Sequence, residues 1–274
     1  MAAELITPQP AEALAGLLDI DVPQSLSEGI LPPLWHWVYL LDRRRQSDLG
    51  DDGHPTHGVP APPGPGWLRM FAGGRVTAYR GIRIGEPATR TTEVAGTAEK
   101  VGRSGPLTFV TVRTRIDQAG ASAVVDEQDI VYRPPGSRLP ARTTVDRDGG
   151  NDGIDGGGNG GGDGALGFDV DPTVLFRFSA LTYNAHRIHY DRAYAVAEGY
   201  PDLVVHGPLQ ALLMSEAIRR RGVDVLGRQF SYRLLAPVFG RQRLTVTAAI
   251  DGSVAHAEVR DAGGRITATS VLAG

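Results

Sequence analysis

Cysteine is absent from the 274-residue chain, which removes disulfides, thiolate nucleophiles and cysteine metal ligands and leaves the redox compartment open. Charge excess is absent too: 28 Lys and Arg face 31 Asp and Glu, a formal net charge of −3. No broad field therefore draws nucleic acid or an anionic membrane. No segment approaches the roughly 18 uninterrupted apolar residues of a membrane helix, and Met1-Ala2-Ala3-Glu4-Leu5-Ile6 lacks the basic-then-apolar pattern of a leader. The expectation is a soluble, cytoplasmic protein without nucleic acid or membrane among its partners. Its length suits one large domain or two of about 130 residues.

From Asp148 to Gly164 the chain is mostly Gly, Asp and Asn. So little apolar surface cannot offset the entropy of ordering, so residues 141–165 are expected to form a flexible linker between an N-terminal half, 1–140, and a C-terminal half, 166–274. A phosphate-cradling loop is a poor match, because no strand leads into the run and no Lys-Ser/Thr follows it.

In the first half, Pro32 and Pro33 open an apolar segment ending before Arg43-Arg44-Arg45, which predicts a short buried helix over 32–41. A Pro- and Gly-rich loop over 50–66 comes next, then strands at 75–84, 90–100, 107–116 and 123–132, separated by turn residues. The second half predicts a strand at 174–179 and a helix at 208–220, where Leu209, Leu212, Leu213 and Ala217 recur at helical spacing and Gly222 marks the stop. Strands at 229–235, 243–250, 255–260 and 266–272 complete it. Each half reads as one helix plus a run of strands, an α+β arrangement.

The stretch Phe178-Ser179-Ala180-Leu181-Thr182-Tyr183-Asn184-Ala185-His186-Arg187-Ile188-His189-Tyr190-Asp191 packs an amide, two imidazoles and a carboxylate into eight positions. Val204-Val205-His206-Gly207-Pro208-Leu209 then supplies a glycine turn opening an apolar helix. Together these provide groups for acid–base chemistry beside a polarised carbonyl.

The motif resembles the hydratase signature of the MaoC-like (R)-specific enoyl-CoA hydratases, Asp-x-Asn-Pro-Leu/Ile-His-x-Asp. His189 falls on the family's catalytic histidine, Ile188 on its apolar position and Asp191 on its last aspartate. Arg187 replaces the proline, His186 the asparagine, and Asn184 the catalytic aspartate. This variant is similar to the branch of mesaconyl-C4-CoA hydratases and mitochondrial-type 3-hydroxyacyl-thioester dehydratases. Leu31-Pro32-Pro33-Leu34-Trp35-His36-Trp37, Asp52-Gly53-His54-Pro55, the segment from Arg69 to Arg75, the segment from Lys100 to Gly105 and the segment from Asp129 to Arg133 carry the similarity through the first half. The resemblance implies a double hot-dog, two antiparallel sheets each wrapped around a central helix. The C-terminal half would be catalytic, and an N-terminal half without its own motif would shape the acyl-thioester tunnel.

It implies a hydro-lyase that adds water reversibly across the double bond of an enoyl-CoA, with (R) stereochemistry. Mesaconyl-C4-CoA or a related C4-dicarboxylic acyl-CoA is the favoured substrate, and a 3-hydroxyacyl thioester the other within this class. A non-catalytic acyl-thioester binding subunit and a hot-dog thioesterase are the rival readings. His189 is the expected base, since a neutral imidazole can carry a proton in both directions. Asn184 cannot exchange a proton; its amide is expected to orient the attacking water. The Gly207 N–H is the expected donor to the thioester oxygen, helped by the helix's positive end.

His186 divides evenly between catalysis and positioning, His206 is expected to brace the turn, and Asp191 to cap the following helix rather than act as an acid. Arg187, Arg69 and Arg75 are candidates for binding CoA phosphates or an acidic acyl group. His186, His189, Asp191 and His206 also have a metal-site count, but the hydratase-like motif accounts for them without a metal, and no cofactor is expected. The partners read from the sequence are an acyl-CoA or acyl-carrier-protein thioester and, in a homo-oligomer, a further copy of the chain.

Overall fold

A computed structural model describes residues 3–64, 66–102, 105–134 and 165–274. The expected linker at 141–165 lies outside the described residues except for Ala165. The first half runs through a short strand β1 (Glu4–Leu5), helix α1 (Gln9–Leu18) and a single turn α2 (Gln24–Ser27) to the meander β2 (Leu68–Ala78), β3 (Pro87–Gly102), β4 (Gly105–Gln118) and β5 (Ala121–Arg133). The second holds β6 (Leu166–Val170), α3 (Pro172–Thr182), α4 (Arg192–Ala197), α5 (Gly207–Arg219), β7 (Gln229–Leu234), β8 (Gln242–Asp251), β9 (Val254–Arg260) and β10 (Ile266–Ala273).

The strands form one antiparallel sheet in the order β1-β3-β4-β5-β2-β7-β10-β9-β8-β6. The two halves meet edge to edge where β2 pairs with β7, from Gly73 opposite Arg233 to Thr77 opposite Gln229. Gly73 is needed at this seam. Its φ is +153°, the β2–β5 register shifts beside it, and a Cβ there would run into the backbone carbonyl of Tyr232. The C-terminal half of the sheet folds about α5, whose residues from Leu209 to Ile218 are all buried, as expected of a helix inside a core rather than on a surface. This is the double hot-dog architecture. No helix among the described residues is long and apolar enough to cross a membrane.

Three local expectations change. Residues 174–179 belong to helix α3, not to a strand. Asp171 accepts the Val174 N–H at 2.9 Å as an N-cap, Pro172 occupies the first turn, and Leu175 and Phe178 point inward at helical spacing. The strand of this region is β6, which starts eight residues earlier.

The helix expected over 32–41 is reduced to a 3-10 turn at Trp35–Val38, because Leu34 and Leu40 both take left-handed backbone, with φ of 65° and 51°. The first half therefore wraps no long central helix, and Arg43 to Arg45 follow an extended break rather than a helix end. Arg43 pairs with Glu4 and Arg44 with Asp42. Strand β2 starts and ends about six residues before the expected 75–84. Helix α1, which buries Ala11, Leu14, Ala15, Leu17 and Leu18, had no counterpart in the sequence reading.

Candidate active site

The Asn184–Asp191 motif lies in the loop between α3 and α4. Tyr183 ends α3 in left-handed backbone, φ 52°, and Asn184 N–H closes the helix on the Ser179 carbonyl at 2.8 Å. The Asn184 side chain accepts the His186 N–H at 3.0 Å through Oδ1. This sets the amide's orientation and leaves Nδ2 as its open donor.

His189 is buried, 8% exposed, in a 3-10 turn at Arg187–His189. Its Nδ1–H donates to the Val204 carbonyl at 2.7 Å. That bond fixes the tautomer with a lone pair on Nε2. Burial depresses its pKa to about 4, against the opposing pull of the Val204 carbonyl, so the ring is neutral at ordinary pH. His206 lies stacked on it, ring centroids 3.6 Å apart, and shares a 2.9 Å hydrogen bond between Nε2 and Ser179 Oγ. Burial and the neighbouring His189 hold the His206 pKa well below the usual range.

Gly207 begins α5 immediately after His206. A Cβ at this position would strike the Leu234 side chain and come within 3.0 Å of Phe71 Cδ1, so a larger residue requires Leu234 to move. As the first residue of α5 it has no carbonyl one turn back to bond, which leaves its N–H open.

The structure adds a group from the first half. Asp52-Gly53-His54 packs directly on the motif loop: Arg187 N–H donates to the Asp52 carbonyl at 2.9 Å, and Arg187 Nη1 to the Asp51 carbonyl at 3.0 Å. Gly53, φ +86°, leaves no room for a Cβ against the Ala185 backbone. His54 Nδ1–H donates to Asp52 Oδ2 at 3.0 Å, and the His54 backbone N–H to Asp52 Oδ1 at 2.9 Å. The His54 ring sits 4.0 Å from that of His186, which is 5.4 Å from that of His189. Burial lowers the pKa of both His54 and His186. Asp52, His54 and His186 place one ligating-type atom each within 4.8 Å of one another. A hydrogen bond already occupies the Asp52–His54 pair, and the positive charge of Arg69 acts on all three groups, which opposes a cation there.

A cavity of about 670 Å³ runs along both halves; its wall includes His54, Arg69, Arg90, Asp126, Asn184 and Pro208. Asp126 is buried there and accepts from Trp37 Nε1 at 2.7 Å and Gln128 Nε2 at 3.1 Å. His189, His186, His206 and Gly207 lie off this wall, while their chain neighbours Asn184, Ala185 and Pro208 form part of it.

The three arginines separate. Arg69, on β2, is half-buried on the wall and has no hydrogen bond or ion pair among the described residues; burial lowers its pKa. Arg187 is spent on the loop itself, with Nη2 2.7 Å from Asp191 Oδ2 and its guanidinium 4.2 Å from the centre of the Tyr194 ring. Arg75 pairs with Glu127 at 2.7 Å and Asp129 at 3.2 Å along the β2–β5 ladder. Neither Arg187 nor Arg75 reaches the cavity. Asp191 caps α4, taking the Tyr194 N–H at 3.0 Å.

The family model for hydroxyacyl-thioester dehydratase type 2 matches residues 34–240. The chain belongs to this family. That match spans both halves and takes in Asp52, His54, Arg69 and the whole motif loop. This hydroxyacyl-thioester dehydratase type 2 member is 43% identical over 270 residues, 96% of this chain and 92% of the relative, to mesaconyl-C4-CoA hydratase of Chloroflexus aurantiacus. Its fold is similar to that of HtdX of Mycobacterium tuberculosis, with a TM-score of 0.69 at 14% identity, covering 100% of this chain and 98% of the other. A second Mycobacterium tuberculosis protein with a double hot-dog fold superposes with a TM-score of 0.56 at 15% identity, over 99% of this chain and 92% of its own.

Proposed function

We propose that the protein adds water across the α,β double bond of an enoyl-CoA thioester and, in reverse, dehydrates the 3-hydroxyacyl thioester. The observation that carries this reading is His189, whose Nδ1–H is committed to the Val204 carbonyl at 2.7 Å and whose ring stacks on His206, the residue before Gly207. In this reading Nε2 of His189 takes a proton from water as the oxygen bonds to the β-carbon. Asn184 Nδ2 donates to that water and holds it in line. The electron pair of the double bond moves onto the thioester, whose oxygen is held by the Gly207 N–H at the positive end of α5. Protonation of the α-carbon completes hydration.

His206 keeps its place through Ser179 and backs the His189 ring. His186 positions the loop between the two halves. The first half, 1–140, forms much of the acyl tunnel, the segment 141–165 connects the halves, and the second, 166–274, carries the motif. The enoyl end of the substrate enters past Asn184 and Pro208 to reach His189.

Arg69 favours a substrate with its own carboxylate. A half-buried guanidinium without a hydrogen-bonded or ion-paired partner among the described residues is suited to an acidic acyl end. The mesaconyl group in the name of the Chloroflexus aurantiacus relative is a dicarboxylic acyl group that keeps one free carboxylate in its CoA thioester.

The test is incubation of the purified protein with mesaconyl-CoA and, separately, with crotonyl-CoA. Loss of the conjugated-enoyl absorbance with formation of the hydrated thioester supports the proposal. Release of free CoA thiol, or binding without turnover of either substrate, contradicts it.

A further inference from the structure

Hydration needs two proton movements, one from water and one to the α-carbon, and the motif offers one titratable group in the expected place. Asn184 stands where the resembling hydratases carry a carboxylate, and an amide cannot supply a proton at ordinary pH. Asp191, the other carboxylate of the motif, is taken up by the α4 cap and by Arg187. Among the titratable groups on the cavity wall, His54 is on the loop docked against the motif, and it is contributed by the other half of the molecule.

We propose that His54, aimed by Asp52, is the second proton-transfer group of this site and takes the chemical place of the carboxylate missing at Asn184. The inference rests on the hydration reading above. Its geometric basis is threefold. His54 Nδ1–H is committed to Asp52 Oδ2 at 3.0 Å, so its exchangeable position is Nε2, which has no hydrogen-bond partner among the described residues. The ring lines the same cavity as Asn184. The loop that carries it is docked on the motif loop through the Asp52 carbonyl and through Gly53, where a side chain would collide with Ala185.

The proton count closes. In hydration, His189 Nε2 accepts a proton from water as the C–O bond forms, and the double-bond electrons pass to the thioester oxygen as an enolate. His54 as imidazolium then gives its Nε2 proton to the α-carbon, and the enolate electrons form the C–H bond. His189 ends one proton richer and His54 one poorer, and solvent in the cavity returns the proton between them. The active enzyme is the pair with one proton, in either direction of reaction, and the pair titrates as a unit.

The charged and titratable groups facing His54 are Asp52 on its own loop, Arg69 on β2, and His186 and His189 on the motif loop. Burial opposes the imidazolium most strongly, Asp52 favours it through its hydrogen bond and charge, and Arg69 adds to the opposition. A substrate carboxylate seated on Arg69 would offset that opposition.

The experiment uses full-length His54→Gln and Asp52→Asn, with kcat and KM for mesaconyl-CoA and crotonyl-CoA measured from pH 5 to 9. For His54→Gln the expected result is a kcat lower by about 10²–10³-fold with KM within about threefold, the loss typical of a general acid–base group. Asp52→Asn keeps the shape and an accepting oxygen but removes the charge that favours the imidazolium. Its high-pH limb is therefore expected to move to lower pH, a change that a merely structural role would not produce.

Activity of His54→Gln within about threefold of the parent overturns the proposal. If His54→Gln melts below the assay temperature, Asp52→Asn decides: a displaced limb supports the assignment and an unmoved limb refutes it. A parent inactive on both enoyl thioesters removes the hydration reading and this assignment together. An active parent indifferent to both substitutions removes only this assignment.

Discussion

His189 lies stacked on His206, with ring centroids 3.6 Å apart and planes 19° from parallel. Burial disfavours the imidazolium form of each ring, and for His206 the neighbouring His189 adds to it, so the fold holds both rings neutral. The His189 pKa falls to about 4, and those of His54, His186 and His206 are also lowered.

Acid should therefore destabilise the protein. The unfolded chain protonates these imidazoles near pH 6.5, whereas the folded chain resists, so stability is fully present above pH 6.5 and is lost as pH falls toward 4. At about 1.4 kcal/mol per pKa unit, His189 alone accounts for a loss of about 3 kcal/mol. Urea denaturation at pH 7.5 and pH 5 checks this, with His189→Gln expected to lose less of its stability than the parent. Equal losses in both proteins would argue against a neutral buried His189.

Asn184→Ala removes both the water-orienting donor and the brace on the His186 N–H. A kcat lower by about 10–100-fold is expected, with the melting temperature reduced by a few degrees for one lost hydrogen bond. Steady-state kinetics beside a thermal melt separates the two effects; a melt shift with unchanged kcat would leave Asn184 a purely structural residue.

Arg69→Gln tests the acidic-substrate reading. With the guanidinium gone, kcat/KM for mesaconyl-CoA should fall by about 10- to 10²-fold while that for crotonyl-CoA changes less than about threefold, since a charged hydrogen-bonded pair is worth about 1.5–3 kcal/mol. Equal losses on both substrates would assign Arg69 to CoA or to the fold instead.

Dialysis of the protein against EDTA should leave turnover unchanged, because the proposed steps use imidazole, amide and backbone N–H groups throughout. Loss of activity that Zn²⁺ or Mg²⁺ restores would instead point to the Asp52–His54–His186 cluster as a metal site.

Much of the scaffold was legible in the residues. Strands β3 to β5 and β7 to β10 follow runs of β-formers between Gly and Asp turns, and α5 follows the spacing of Leu209, Leu212 and Leu213. Helix α3 is hidden from a composition-based reading because Val174-Leu175-Phe176-Arg177-Phe178 has the composition of a strand. Its true signals, Asp171 as cap and Pro172 in the first turn, lie just ahead of that window. The 3-10 turn at Trp35–Val38 depends on left-handed backbone at Leu34 and Leu40, which residues of that type do not advertise.

The site divides in the same way. Asn184, His189, His206 and Gly207 are neighbours along a short stretch of chain, so their spacing was readable. Asp52 and His54 stand more than a hundred residues away and join them only through tertiary docking at Gly53 and Arg187. Arg69, Arg75 and Arg187 could not be ranked from sequence, because what separates them is whether a carboxylate already occupies each guanidinium.

The most direct test of the central claim is the rate of mesaconyl-CoA hydration by the parent and by His189→Ala under saturating substrate. The parent is expected to consume the enoyl absorbance and the variant, still folded by circular dichroism, to do so about 10²–10⁴-fold more slowly with little change in KM. A His189→Ala protein that turns over at the parental rate would contradict it.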